Sequence, residues 1–308
     1  MTSTDDASRQ RPAPGDIVLD HVAHFLPDMA AAEDALDRMG FAPTPVSHQM
    51  HRVEPGGPLV SAGTANRTAM LRRGYLEFLA TTGDTPNAAK LRAAMARYTG
   101  VHLVCFGTAD AAATHARLAM AGFDPPPVVA LQREVACADG TSALARFAVI
   151  RAAPDRMREG RVQVVAHLAP EAIWQPRYLA HPNGAMTLAG VVVAVDDRDE
   201  ARARWQRFTA LAATTDGACD LLATARGRVI LAQSATVATL FGATPPALPW
   251  IAGPVIGVAD LAATRACLRA GGIPILRDTG TRIVAAAPPA LGGLYVFEPV
   301  SGADLAGR

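Results

Sequence analysis

The chain has almost no net charge: 29 Lys and Arg stand against 28 Asp and Glu, a formal +1. That leaves no basic footprint for nucleic acid and no polybasic patch for an anionic membrane. No apolar run is long enough to span a bilayer, and residues 1–14 are polar and Pro-containing, without the apolar stretch of a signal peptide. Cysteine is scarce. Its four copies, Cys105, Cys137, Cys219 and Cys267, form no C-x-x-C pair, which excludes a disulfide frame or zinc knuckle and suits buried thiols in a reducing compartment. A nucleophile elbow, a phosphate-cradling glycine loop and a dinucleotide fingerprint are also missing. The expectation is a soluble cytoplasmic protein that meets a small-molecule ligand, not nucleic acid or a membrane.

What is present is a repeat. Half of the 308 residues are hydrophobic, enough for a sizeable core in one large domain or two ordinary ones. Apolar stretches at 17–25, 101–106 and 251–258 each lead to an aspartate (Asp28, Asp110, Asp260), a helix-forming stretch and a glycine (Gly40, Gly122, Gly272). In each case the aspartate stands twelve residues before the glycine. Asp accepts from the free amides at a helix start, and Gly takes the left-handed conformation just past its end. A degenerate copy runs from 188–195 into Asp196-Asp197 and a helix through Trp205, without the closing glycine.

Strand-like stretches follow each helix: 50–53 and 63–81; then 128–136, 143–151 and 162–167; then 219–224 and 228–233; then 282–286 and 293–298. The unit is strand, helix, strand, strand, strand, four times over. Residues 170–185 are turn-rich and part the second unit from the third. The expected organisation is a disordered or extended N-terminus (1–15), a first domain (16–172), a linker (173–185), a second domain (186–302) and a tail (303–308).

The most informative stretch is 63–81, two strands joined by a tight Arg72-Arg73-Gly74 turn. In its second strand Leu76 and Phe78 share one face, and Tyr75, Glu77 and Leu79 the other. Glu77 is an acid among apolar neighbours. Burying it is costly unless it is paired or bound to a metal.

The paired units, opened by Leu19-Asp20-His21-Val22, resemble the vicinal oxygen chelate superfamily of glyoxalase I, bleomycin-resistance proteins and extradiol dioxygenases. Gly63-Thr64-Ala65-Asn66-Arg67, Tyr75-Leu76-Glu77-Phe78-Leu79, Ala166-His167-Leu168-Ala169-Pro170-Glu171 and His181-Pro182-Asn183-Gly184-Ala185 are similar to the glyoxalase-like domain proteins of bacteria. Together they cover most of residues 16–185. The resemblance implies an α+β fold: four βαβββ units forming two glyoxalase-fold domains with open mixed-sheet barrels. It also implies a divalent metal (Fe, Mn, Zn or Ni) held inside the first barrel by His21, Glu77 and His102, with Gln163 or His167 in fourth place. Glu77 would double as catalytic base. Asn66 and Arg67 would anchor the substrate, and His181 and Asn183 would close the pocket.

The plain alternative for His21 and Glu77 is a buried pair that satisfies itself. His102 stands one residue farther from Asp110 than His21 does from Asp28. A longer loop keeps it on the metal face; a slipped strand turns it away. The second half carries Gly190, Gly253 and Ile230 where ligands would stand, which confines a metal to the N-terminal half. The implied function is a metal-dependent isomerase, lyase or ring-opening dioxygenase acting on a small oxygen-chelating substrate. The alternative is metal-free sequestration of the bleomycin-resistance kind. Superfamily barrels pair, which leaves open a homodimer or pairing of the two halves within one chain.

Overall fold

The structure is a computed structural model that describes residues 3–52 and 57–300, without the side chains of residues 3–5, 51, 52 and 59. The expected tail at 303–308, and residue 53 of the strand expected at 50–53, lie outside the described residues.

A short helix, α1 (Ser3–Ser8), opens the chain where a disordered or extended arm was expected. Gln10 and Asp6 explain the difference. Gln10 donates to the Arg72 carbonyl at 2.7 Å, and Arg73 donates to Asp6 at 2.9 Å, so the first residues are tied to the 72–74 turn. Unit one is β1 (Ile17–Leu26), α2 (Met29–Arg38), β2 (Ser47–Arg52), β3 (Leu59–Met70) and β4 (Tyr75–Thr81). Helix α3 (Pro86–Met95) leads to unit two: β5 (Gly100–Thr108), α4 (Ala111–Met120), β6 (Val129–Ala136), β7 (Ser142–Arg151) and β8 (Arg161–His167). Two 3-10 turns, Pro170–Ala172 and Pro176–Tyr178, occupy the connection. Unit three is β9 (Ala185–Val195), α5 (Arg198–Thr209), β10 (Thr214–Asp216), β11 (Cys219–Ala223) and β12 (Arg228–Gln233). Helix α6 (Ser234–Phe241) leads to unit four: β13 (Trp250–Val258), α7 (Leu261–Ala270), β14 (Ile275–Asp278), β15 (Ile283–Ala286) and β16 (Leu294–Pro299).

The helix signals act as expected. Asp28, Asp110, Asp197 and Asp260 each accept from an amide in the first turn of their helix. In the degenerate unit Ala210 takes the left-handed conformation (φ 59°) that glycine takes elsewhere. In every unit the last strand runs parallel to the first. Antiparallel pairing of β1 with β5, and of β9 with β13, joins the units two by two. Pairing of Ile251 with Val101 and a bridge between Arg73 and Thr187 link the halves, so the sixteen strands of the described residues belong to one mixed sheet that is not closed into a barrel.

One apolar core collects the outer faces of both halves with α2, α4, α5 and α7, including Leu36, Leu118, Trp205, Phe208 and Leu268. The inner faces differ. In the second half the inner face is filled by Val192, Ile230, Val255, Val284 and Val296, capped by Val237 and Phe241 of α6. In the first half the sheet curls until Met70 of β3 shares a cluster with Ala145 of β7, closed by Trp174. Leu91 of α3 packs on the other end, against Phe25, Leu79 and Val149. Polar side chains occupy the space between. Among the described residues no helix is long and apolar enough to cross a membrane.

Candidate functional site on the inner face of the first half

Strand register decides which side chains share this face. His21 pairs with Tyr75 across β1 and β4, and Ala23 with Glu77. His21 also pairs with Cys105 across β1 and β5. Cys105 pairs with Gln163, and Gln163 with Arg151. Alternation then adds Arg161 and His167 from β8.

A bulge interrupts the first strand of every unit. The unpaired residue is Asp20 in β1, His102 in β5, Ala189 in β9 and Ala252 in β13. Each stands eight residues before the capping aspartate of its own unit. A bulged residue breaks the alternation and can share a face with its neighbour. The glycine before the last strand fits against this bulge: a Cβ at Gly74 would stand 2.6 Å from the Asp20 carbonyl oxygen, and one at Gly160 2.6 Å from that of His102. His102 is therefore the counterpart of Asp20, and Leu103 is that of His21. This is the slipped strand, and it corrects the expectation that His102 meets His21.

The bulge lets Asp20 join His21. Asp20, fully buried, accepts from His21 Nδ1 at 2.6 Å and lies 3.0 Å from His167 Nε2. Burial disfavours its charge, but His167 and His21 outweigh this and hold the carboxyl well below the usual range. Burial also works against a charge on His21; the bonded Asp20 carboxylate opposes this and raises the imidazole above its usual value. Cys105 is fully buried, and burial keeps its thiol above the ordinary range. Ligand-type atoms of Asp20, His21 and Cys105 all lie within 4.8 Å of one another, the one such group of three among the described residues. His21 stacks on Tyr75 at 4.3 Å, and the edges of Phe147, Trp174 and Tyr75 enclose His167.

The expected ligand set does not assemble. His102 donates through Nε2 to the Tyr98 carbonyl, 2.7 Å away, and stacks between Tyr98 and Phe25. Burial pushes its pKa down to about 4. Glu77 is half-buried on the inner face and accepts from Asn66 Nδ2 at 2.6 Å, outside the Asp20 group. His167 serves Asp20. Gln163 faces Cys105, its Oε1 buried without a partner.

Of the expected substrate anchors only Asn66 is on this face, with its Oδ1 also unpartnered. Arg67 points the other way, to the Thr44 carbonyl and Glu33. His181 accepts from the Ala42 amide and donates to the Met70 carbonyl. Asn183 donates to the Met39 carbonyl and accepts from Ala185. Both are buried clips between the linker and unit one, which replaces the pocket-closing role expected of them. Sequence reasoning missed Asp20, Cys105, Arg151 and Arg161. Asp20 carried the same signal as Glu77, an acid inside an apolar strand, but strict alternation put it on the far face.

The inner face of the second half is the internal control. There the bulge residues are alanines, and the last-strand positions matching Glu77 and Gln163 are Ile230 and Val296. Glu298 is held by Arg228 through two hydrogen bonds of 2.8 Å. Two shallow clefts, of about 400 and 530 Å³, lie elsewhere, beside Asp197 and beside Glu33.

The profile of the glyoxalase-like domain matches residues 19–209. No curated protein matches the sequence. Similar solved structures include a hypothetical protein from Staphylococcus aureus, 12% identical, with a TM-score of 0.60 over 92% of this chain and 100% of that one. A mutant 4-hydroxymandelate synthase from Streptomyces coelicolor is 15% identical, with a TM-score of 0.56 over 96% of this chain and 99% of that one. A xylose isomerase-like TIM barrel/4-hydroxyphenylpyruvate dioxygenase fusion protein is 11% identical, with a TM-score of 0.52 over 95% of this chain and 50% of the fusion. At these identities the likeness is one of fold.

Proposed function

Because the chain belongs to the glyoxalase-like domain family, we propose that the inner face of its first half binds and transforms a small oxygen-bearing organic molecule, with a divalent metal held at Asp20, His21 and Cys105. The observation that carries this reading is the convergence of those three donors where the second half has only apolar groups. Carboxylate, imidazole and thiolate together suit Zn, Fe(II) or Ni. Burial, helped by the Asp20 charge, keeps the Cys105 thiol above its ordinary range, and a divalent cation held there would lower it. Asp20 on Nδ1 sets the tautomer and orientation of His21.

A bound ion supplies Lewis-acid polarisation of a substrate oxygen. The remaining chemistry belongs to the chain. Glu77, positioned by Asn66, takes a proton from the carbon beside that oxygen, as an isomerase or lyase requires, or from a substrate hydroxyl, as a ring-opening dioxygenase requires. Trp174 and Phe147 keep water from the His167 end of the face. A second reading, a metal-free binding protein of the bleomycin-resistance kind, draws support from Asp20 itself. Its carboxylate is already satisfied by two imidazoles and needs no cation.

Elemental analysis of protein purified without a histidine tag separates the two. The metal reading expects about one equivalent of metal in the wild type and its loss in His21→Ala and Cys105→Ala, with Glu77→Ala still loaded. A wild type that stays empty after supplementation with Mn, Fe(II), Zn and Ni leaves only the binding protein.

A further inference from the structure

Arg151 and Arg161 stand on the inner face of the first half, and neither the metal nor the proton-transfer reading uses them. Arg151 pairs directly with Gln163 across β7 and β8, and Arg161 is two residues from Gln163 on the same face. That makes the arginines diagonal neighbours, within reach of one another. Both are half-buried, and neither makes an ion pair among the described residues. Arg151 Nε is buried without a partner, as is the Oε1 of Gln163 between them. The Arg161 guanidinium lies 5.5 Å from the centre of the Phe25 ring, on the inner face.

Two guanidiniums so placed are expensive. Burial and repulsion from Arg151 hold the Arg161 pKa below its ordinary value, and Glu77 is the one carboxylate that opposes this. Arg226 is likewise desolvated without an ion pair among the described residues, but other such cations are neutralised. Arg204 has Glu159 and Glu200, and Arg228 has Glu298. The fold does not require arginine at these points either. The positions matching Arg151, Arg161 and Gln163 in the second half are Val284, Leu294 and Val296, all in the apolar filling.

We infer that Arg151 and Arg161 hold the carboxylate of a monoanionic organic acid, placing the rest of the molecule over Glu77 and Cys105. This names the substrate class of the site and rests on the reading of the inner face as a ligand site. Charge selects a monoanion: two guanidiniums and Glu77 leave one positive charge. A guanidinium fork matches a carboxylate with two parallel donors. Phosphate, a dianion near neutral pH, is matched less well.

The test is calorimetric titration of EDTA-treated full-length protein with benzoate, lactate, their neutral amides benzamide and lactamide, and phenyl phosphate. Saturable binding of benzoate or lactate is expected, with the amides silent and phenyl phosphate weaker. Arg161→Gln and Arg151→Gln each weaken binding by about tenfold or more, the scale of one lost charge-assisted hydrogen bond. Arg161→Lys keeps the charge and loses the fork, so it falls between. Arg265→Gln, which removes an exposed pair with Asp278, leaves binding unchanged. Circular dichroism confirms that each variant is folded. The inference is overturned if no acid binds the wild type, if amides bind as well as acids, or if a folded Arg161→Lys and both glutamine variants bind like the wild type. Because the metal is removed beforehand, carboxylate binding by a protein that never holds metal sinks only the metal reading. A metal-loaded wild type that ignores every acid sinks only this one.

Discussion

Acidification tests the placement of His102 directly. Its ring is buried between Tyr98 and Phe25, with Nε2 at the Tyr98 carbonyl. Burial lowers its pKa from 6.5 to about 4. As pH falls through that window the unfolded chain takes up a proton that native His102 refuses, so stability is intact above 6.5 and lost below it. The loss from this one group reaches roughly 3 kcal/mol near pH 4. His24, pushed down to about 3 by burial between Phe78 and Tyr295, adds a loss of similar size over the same range. In His102→Leu the Tyr98 carbonyl is left unpaired, which costs about 1–3 kcal/mol at neutral pH. The variant no longer pays for keeping an imidazole neutral. Urea unfolding followed by tryptophan fluorescence from pH 7.5 to 4 therefore shows a variant that starts weaker and then converges with the wild type or overtakes it. Curves that stay parallel refute the reasoning. Loss of bound metal from the same variant would restore His102 as a ligand.

Three further outcomes follow from the same geometry. Asp20→Ala leaves two buried imidazoles without their carboxylate and lowers stability by about 3–5 kcal/mol, read as a shifted urea midpoint with unchanged slope. Gly74→Ala puts a Cβ against the Asp20 carbonyl at a positive φ of 73° and costs about 1–3 kcal/mol by the same assay. A midpoint within error of wild type would mean that the bulge gives way. Arg67→Ala lowers stability by about 1–2 kcal/mol by removing bonds to Thr44 and Glu33, and leaves carboxylate binding unchanged in calorimetry.

Much of the architecture was legible because its signals are local. An aspartate that caps and a glycine that closes act within a few residues, and the four-fold recurrence of strand and helix located the units. Helices α3 and α6 went unread. Thr85 followed by Pro86 is a start signal for α3, but the stretch fell outside the repeat that organised the reading. The site was legible in part. Glu77 and Asn66 do share a face, and His21 sits at the centre of the polar cluster. Arg67 was one position out of phase with Asn66 and so faces the helices. His102 shows the limit most clearly: its distance from Asp110 already differed by one, but whether a loop or a strand absorbs that residue depends on what packs beneath it.

The sequence by itself determined four strand–helix units, their capped helices, and a first half richer in acids and imidazoles than the second. Those follow from short-range chemistry: hydrogen bonds at helix ends and the alternation of a pleated strand. Only the tertiary structure decided that Asp20 meets His21, Cys105 and His167, that His102 does not, and that Arg151 and Arg161 share the inner face. A bulge moves one residue across the sheet, and curling brings β4 and β8 together over β1. Both are set by packing between segments far apart in the chain, where no local pattern records them.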